Sequence, residues 1–213
     1  MGNLFAYDSP LWRGMNRAVQ FLWLSILWGA CCLPIFTIGA STTALYAVTL
    51  KCVKNQESYL TPSFFRSFKQ NLKQATIIWA RSLCLGMFLG VGLLYYFRLE
   101  VSGTFFVIVT TAFFSLFVSY LLTNLFVYPL LAVFDNTTKR TLINAVIMAL
   151  THLPSGILML SLSLIILVVG ALLFPPLLFV APALTAYINS RFLTKIFDPY
   201  VAHASAACGE AAL

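Results

Sequence analysis

Residues equipped for chemistry are few in this chain, and most lie inside apolar runs. Arg81 is the only charged side chain in residues 74–97. A lone guanidinium there reads in two ways: its stem lets the head reach the nearest polar boundary, or the charge is kept for a ligand or partner. No acidic residue sits at comparable depth in any apolar run, so an ion pair or acid-based proton relay has no second member. Hydroxyls and amides gather in two segments, Thr42, Thr43 and Tyr46 in one and Thr185, Tyr187 and Asn189 in the other. Asn124 precedes Tyr128-Pro129 in a third. Such groups either line a cavity or bond back to their own helix and across to a neighbour.

Catalytic signatures are missing. His152 and His203 belong to no HExxH motif or triad, and there is no Walker loop and no GxGxxG. Cys31, Cys32, Cys52, Cys84 and Cys208 form no CxxC and no ligand spacing with a histidine, so they read as small apolar packing residues. The expectation is a non-enzyme with no cofactor and no metal.

The elements that carry these residues are set by charge. Residues 18–50, 101–134 and 153–190 contain no Asp, Glu, Lys or Arg, and residues 74–97 contain only Arg81. About 20 apolar helical residues cross a bilayer core, and spanning backbone must satisfy its own hydrogen bonds. Charged residues are 9% of the chain, against roughly 25% in soluble domains. The fold class expected is therefore all-α, a polytopic transmembrane bundle forming one domain over residues 1–213. The net charge of +7 reads as a topology signal, because the basic residues lie between apolar blocks; nucleic acid is not an expected partner. Arg13 and Arg17 precede an apolar run that continues to residue 50, which predicts a retained first helix.

Two of the blocks are too long for one crossing and too short for two full ones with a turn. Each holds a break near its middle: Leu33-Pro34 then Gly39, and Pro175-Pro176 then Pro182. Proline removes a donor and clashes with the preceding turn, so both blocks can reverse there. If both are hairpins, eleven of the thirteen basic residues fall on one side, leaving Arg98 opposite and Arg81 within a helix. The positive-inside rule favours that arrangement, with both termini cytoplasmic. About six membrane helices are expected, near residues 17–33, 40–53, 74–97, 104–130, 154–174 and 177–196. The short second one and its counterpart either cross fully or form re-entrant limbs.

The returning limbs can be overlaid. Residues 33–48, LPIFTIGASTTALYAV, align with residues 175–190, PPLLFVAPALTAYINS, placing Pro34 on Pro176, Thr43 on Thr185 and Ala44 on Ala186. This suggests approximate parallel repeat units at 17–53 and 154–196, related by an axis along the membrane normal. Residues 61–73 predict an interfacial amphipathic helix: Thr61 as N-cap, Pro62 in the first turn, Phe64, Phe65 and Phe68 on one side, and Arg66, Lys69 and Lys73 opposite. Its expected partners are the bilayer and anionic inner-leaflet lipids, or a docking protein. Gly86 and Gly90 give small-xxx-small spacing for close helix packing, within the chain or in a homo-oligomer.

At residues 33–46, LPIFTIGASTTALY, and 64–75, FFRSFKQNLKQA, with SPLWRGMNR at 9–17, the chain resembles the YesL-like family of Gram-positive bacterial membrane proteins. In that family proline often follows the TIG glycine, where this chain has Ala40. The resemblance implies a bacterial plasma-membrane protein, often encoded among carbohydrate-uptake genes, with no established activity and no catalytic residue to carry over. Two functional expectations stand. One is an accessory or scaffold subunit for a sugar permease or membrane sensor. The other is a small passive transporter with a pathway between the two hairpins.

Overall fold

The first apolar block does not run as one helix. In the computed structural model, which describes residues 10–54, 56, 59–98, 103–134, 136–172 and 178–210, helix α1 (Pro10–Cys32) stops just before Leu33-Pro34. Pro34 has extended backbone dihedrals and precedes a single 3₁₀ turn, Ile35–Thr37. The Thr37 hydroxyl lies 2.6 Å from the Cys31 carbonyl and 2.7 Å from that of Pro34, so it serves carbonyls left open where α1 ends. Helix α2 (Ile38–Val53) then folds back along α1, with the Trp28 indole N–H donating to Thr42 Oγ1 at 3.4 Å.

Gly39 lies inside the first turn of α2 and not at the break, correcting its expected role as a hairpin breaker. A Cβ there would stand 2.7 Å from the Ala75 carbonyl oxygen and 2.9 Å from Trp79 Cβ, so its missing side chain lets α2 and α3 cross closely. Ala40, Ser41, Thr43, Ala44 and Ala47 continue this small surface, and all are buried. Small residues let helix backbones approach and gain dispersion contact where no hydrophobic force separates helix from lipid. As a result α2 is the central helix, packed by α1, α3, α4 and α7.

Helix α3 (Leu60–Arg98) is continuous over 39 residues, about 58 Å at 1.5 Å per residue. The expected separate interfacial helix over 61–73 is its first four turns. Pro62 lies in the first turn, where its missing N–H costs nothing, and neither Pro nor Gly recurs before Gly86 to end it. Beyond it come α4 (Thr104–Val133), α5 (Thr138–Thr151), α6 (Leu153–Leu172) and α7 (Ala181–Glu210). Pro175 and Pro176 lie outside the described residues; Pro182 occupies the first turn of α7. No strand occurs among the described residues.

Among the described residues, four helical segments are long and apolar enough to cross a membrane: Ile35–Val53, Leu60–Tyr96, Thr104–Val133 and Leu153–Leu172. α1 and α7 are not among these four, and a charge interrupts the apolar run of each. Within α1 only residues 18–32 follow Arg17, and within α7 only residues 181–190 precede Arg191. Large apolar side chains crowd the outer faces of α3 and α4, among them Phe88, Val91, Leu94 and Phe105. A surface of that kind would be an aggregation hazard in water and is ordinary in hydrocarbon.

Candidate functional site

α2 and α7 run side by side in the same direction. Tyr46 pairs with Asn189, Thr49 with Ser190, and Lys54 with Asp198, so residues ascend together on both helices. Thr49 and Ser190 are fully buried, with hydroxyls 2.8 Å apart. Asn189 Nδ2 donates to Ser163 Oγ of α6 at 3.1 Å and to Tyr46 Oη at 3.4 Å, and its Oδ1 is buried with no partner. From the other hairpin, Ser25 of α1 caps the start of α7: it accepts from the Ala183 N–H at 3.2 Å and donates to the Val180 carbonyl at 3.4 Å. Phe21 packs on Tyr187 with ring centroids 4.9 Å apart.

Next to this polar layer lies a cavity of about 300 Å³. Trp28 of α1, Thr42, Leu45 and Tyr46 of α2, Ser163 and Leu167 of α6, and Thr185 with its neighbours on α7 line it. It exists because α6 packs on α7 but barely touches α2. No lining residue is charged. The hydroxyl and amide groups singled out in the two limbs therefore divide. Tyr46 and Thr185 face the cavity and Asn189 supports it, whereas Thr43 is buried and bonds back to the Gly39 carbonyl at 2.9 Å.

The remaining singled-out residues lie elsewhere. Asn124 sits in a separate knot between α3 and α4: its Oδ1 accepts from the Ser82 hydroxyl, and its Nδ2 donates to the Tyr120 carbonyl at 2.9 Å. Tyr120 Oη donates to the Ser82 carbonyl at 2.9 Å, in the space that Gly86 leaves by lacking a Cβ. Gly90 has open space where its Cβ would be. Arg81 is exposed on α3 and makes no hydrogen bond or ion pair with a described residue.

A second region is the start of α3. Phe64 is fully buried and stacks on the half-buried Phe68 at 6.4 Å and 12°, while Phe65 stays exposed. The three phenylalanines thus do not form one outward stripe. Helical spacing groups them, but α2 and its neighbours occupy the space beside Phe64 and Phe68. Three bonds hold these turns: Trp23 Nε1 to Thr61 Oγ1 at 3.1 Å, Lys51 Nζ to Ser63 Oγ at 3.0 Å, and Gln74 Nε2 to the Asn136 carbonyl at 2.7 Å. Arg66, Lys69 and Lys73 stand exposed on the opposite side. A smaller pocket of about 220 Å³, lined in part by Lys51, Lys54, Thr194 and Phe197, opens near the C-terminal end of α2.

Sequence reasoning missed Ser25, Thr49, Ser163 and Ser190. Thr49 and Ser190 carry a trace of a signal, since the overlay of the two limbs brings them within one position of each other. Ser25 is a single serine in an apolar run, and Ser163 has only Ser161 beside it, with nothing to say which of the two faces the bundle. Among the described residues no three His, Cys, Asp or Glu side chains come together.

Residues 21–93 match a family model described as "Protein of unknown function, DUF624". That segment runs from α1 through most of α3, about a third of the chain, and includes Tyr46 and the basic side of α3. It excludes Ser163, Thr185 and Asn189, so one wall of the cavity lies inside the matched segment and the other outside it. No curated protein and no solved structure matches the chain.

Proposed function

We propose that this protein is a non-catalytic integral membrane scaffold, an accessory subunit of a carbohydrate-uptake or signalling system in a bacterial plasma membrane. The carrying observation is the start of α3: a rigid amphipathic extension whose apolar side is clamped to the core while Arg66, Lys69 and Lys73 stay free. α3, at about 58 Å, exceeds a 30 Å hydrocarbon core by several turns even when tilted. Its basic turns then reach the cytoplasmic headgroup layer and beyond, beside anionic inner-leaflet lipid. A partner with an acidic membrane-proximal surface, such as a sugar permease or membrane sensor, meets a preformed basic ridge there and orders little on binding. The resemblance to YesL-like proteins supports the choice of partner system.

In this reading both termini are cytoplasmic, and α1 and α7 complete six membrane helices. The parallel run of α2 and α7 supports approximate repeats at 17–53 and 154–196, because near-equivalent positions of the overlay face each other across their contact. The cavity between the hairpins favours a second reading, a small passive transporter. Its base is closed by the Tyr46–Asn189–Ser163 bonds and the Thr49–Ser190 pair, which makes it a blind site and places this reading second.

The test is a mild-detergent pull-down of tagged protein from its native membrane after brief crosslinking, compared with an Arg66→Glu/Lys69→Glu/Lys73→Glu variant. Charge reversal spares the buried Phe64, so the fold is kept. Recovery of permease or sensor subunits from the native protein, lost in the variant, is the expected result. Recovery of the protein alone, or of the same partners from both, contradicts the proposal. Solute flux in liposomes decides for the second reading.

A further inference from the structure

We propose that the α2–α6–α7 cavity binds an uncharged, bilayer-dissolved lipid with a compact oxygen-bearing head, of the isoprenoid alcohol or isoprenoid quinone type. The head faces Tyr46 and Thr185, and the tail leaves past Leu167 and Leu178. This site is independent of the basic ridge on α3.

Four observations select that chemistry. First, the lining contains no charged side chain, so a carboxylate, phosphate or ammonium would be buried there without a counter-charge, which desolvation strongly disfavours. Second, 300 Å³ corresponds to about ten water-sized groups. That suits a small ring or a short branched chain end. A sugar of that size carries a hydroxyl on nearly every carbon, and this wall cannot satisfy them. Of its hydroxyls, Thr42 is already engaged with Trp28 and the Ile38 carbonyl.

Third, polar groups remain unpaired. Asn189 Oδ1 is buried without a partner, and Tyr46 Oη accepts a hydrogen bond but donates none among the described residues. Thr185 makes no side-chain hydrogen bond among them either, although most helical threonines here bond back one turn. The Asn189 orientation is fixed by its neighbour: Ser163 Oγ gives its one proton to the Met159 carbonyl at 2.7 Å, so it accepts from Nδ2, and Oδ1 is the amide atom left open. A buried polar group without a partner is destabilising until one reaches it. A carbonyl or hydroxyl oxygen arriving from a ligand gives Tyr46 and Thr185 their missing acceptor.

Fourth, depth and access agree. Ser163 sits near the middle of α6, a helix of spanning length, so the polar layer lies far from either headgroup region. Ordinary phospholipids hold their heads at the interface and send only hydrocarbon to that depth. A neutral head with one or two oxygens can lie there if hydrogen-bonded. At the mouth, Leu167 and Leu178 are 57% and 42% exposed, on the same outer surface as the apolar face of α6. The ligand therefore enters sideways from the bilayer.

The experiment uses the purified full chain in anionic lipid nanodiscs with a photoactivatable diazirine analogue of farnesol, the labelled positions being mapped by mass spectrometry. The expected result is saturable labelling on α6 and α7 near residues 163–186. At least five-fold loss is expected with excess unlabelled farnesol or a short-chain isoprenoid naphthoquinone, and none with palmitate. Whichever competitor acts at lower concentration identifies the head. Thr185→Phe, which fills the cavity and removes its hydroxyl, abolishes labelling in a monodisperse sample, whereas Lys54→Ala leaves it unchanged. Should Thr185→Phe fail to fold, competition on the native protein decides alone. Labelling that no competitor reduces, that spreads evenly over α3, α4 and α6, or that palmitate displaces equally overturns the proposal.

Discussion

The hairpin α1–α2 and the hairpin α6–α7 are built alike, a long helix, a proline-marked link and a returning helix, yet the bundle treats them differently. α2 is enclosed by four helices, and α1 crosses over to pack Phe21 and Ser25 against α7. Among the described residues α6 only grazes α2. It meets the polar layer through Ser163 alone and leaves its outer face exposed. The difference is carried by side-chain size. Gly39, Ala40 and Ala44 let α2 sink against α3, whereas Leu167 and Leu178 hold the α6 side open. One hairpin therefore becomes core, and the other becomes one wall of a cavity.

The largest expected effect tests the glycines of the two hairpins against each other. Gly39→Ala drives a Cβ toward the Ala75 carbonyl and Trp79 Cβ at 2.7 and 2.9 Å, atoms of backbone or near-backbone that cannot swing away. A loss of about 2–3 kcal/mol is expected in thermal or SDS unfolding in detergent. Gly170→Ala presses the flexible end of Leu178 at 3.3 Å and meets that residue's backbone N only at ordinary contact, 3.6 Å, so it should cost under about 1 kcal/mol. Equal effects would mean that α2 is no more tightly held than α6.

Removing a serine from each outgoing helix sharpens the same contrast. Ser25→Ala strips the cap from α7, leaving the Ala183 N–H unpaired, for about 1 kcal/mol. Ser163→Ala takes one of two acceptors from Asn189 and should cost about half as much. A double-mutant cycle on Thr49→Val and Ser190→Ala should report a coupling of about 0.6–1.5 kcal/mol across the two returning helices. The smallest effect is expected at Lys54–Asp198, 3.0 Å apart with both side chains well exposed. Asp198→Asn should change stability by about 0.5 kcal/mol or less, and less still in high salt.

These expectations show which levels of structure the sequence carries. The break at Leu33-Pro34, the short α2 and the four apolar spans are legible because proline chemistry and uncharged length act locally. The sidedness of residues 61–73 is also legible, since helical spacing groups Phe64 and Phe68 opposite Arg66 and Lys69. What that side meets is not. Spacing alone cannot tell lipid from a neighbouring helix, and Phe64 turned out to be core. The use of Gly39 is likewise tertiary, because only the approach of Ala75 and Trp79 distinguishes a packing glycine from a turn glycine. Tyr46, Thr185 and Asn189 stood out in the sequence as polar groups in apolar limbs, but their convergence depends on how α2 lies against α7. Ser163 joins them from a helix whose sequence is otherwise almost featureless.

The parallel contact of α2 and α7, which closes the base of the cavity, is tested most directly by cysteine pairing in native membranes. With Cys31, Cys32, Cys52, Cys84 and Cys208 replaced by alanine, Thr49→Cys/Ser190→Cys should oxidise to an intramolecular disulfide under mild conditions, since the native hydroxyls lie 2.8 Å apart. Thr49→Cys/Thr185→Cys, more than one turn out of register, should remain reduced. A missing 49–190 bond, or equal oxidation of both pairs, would contradict the arrangement.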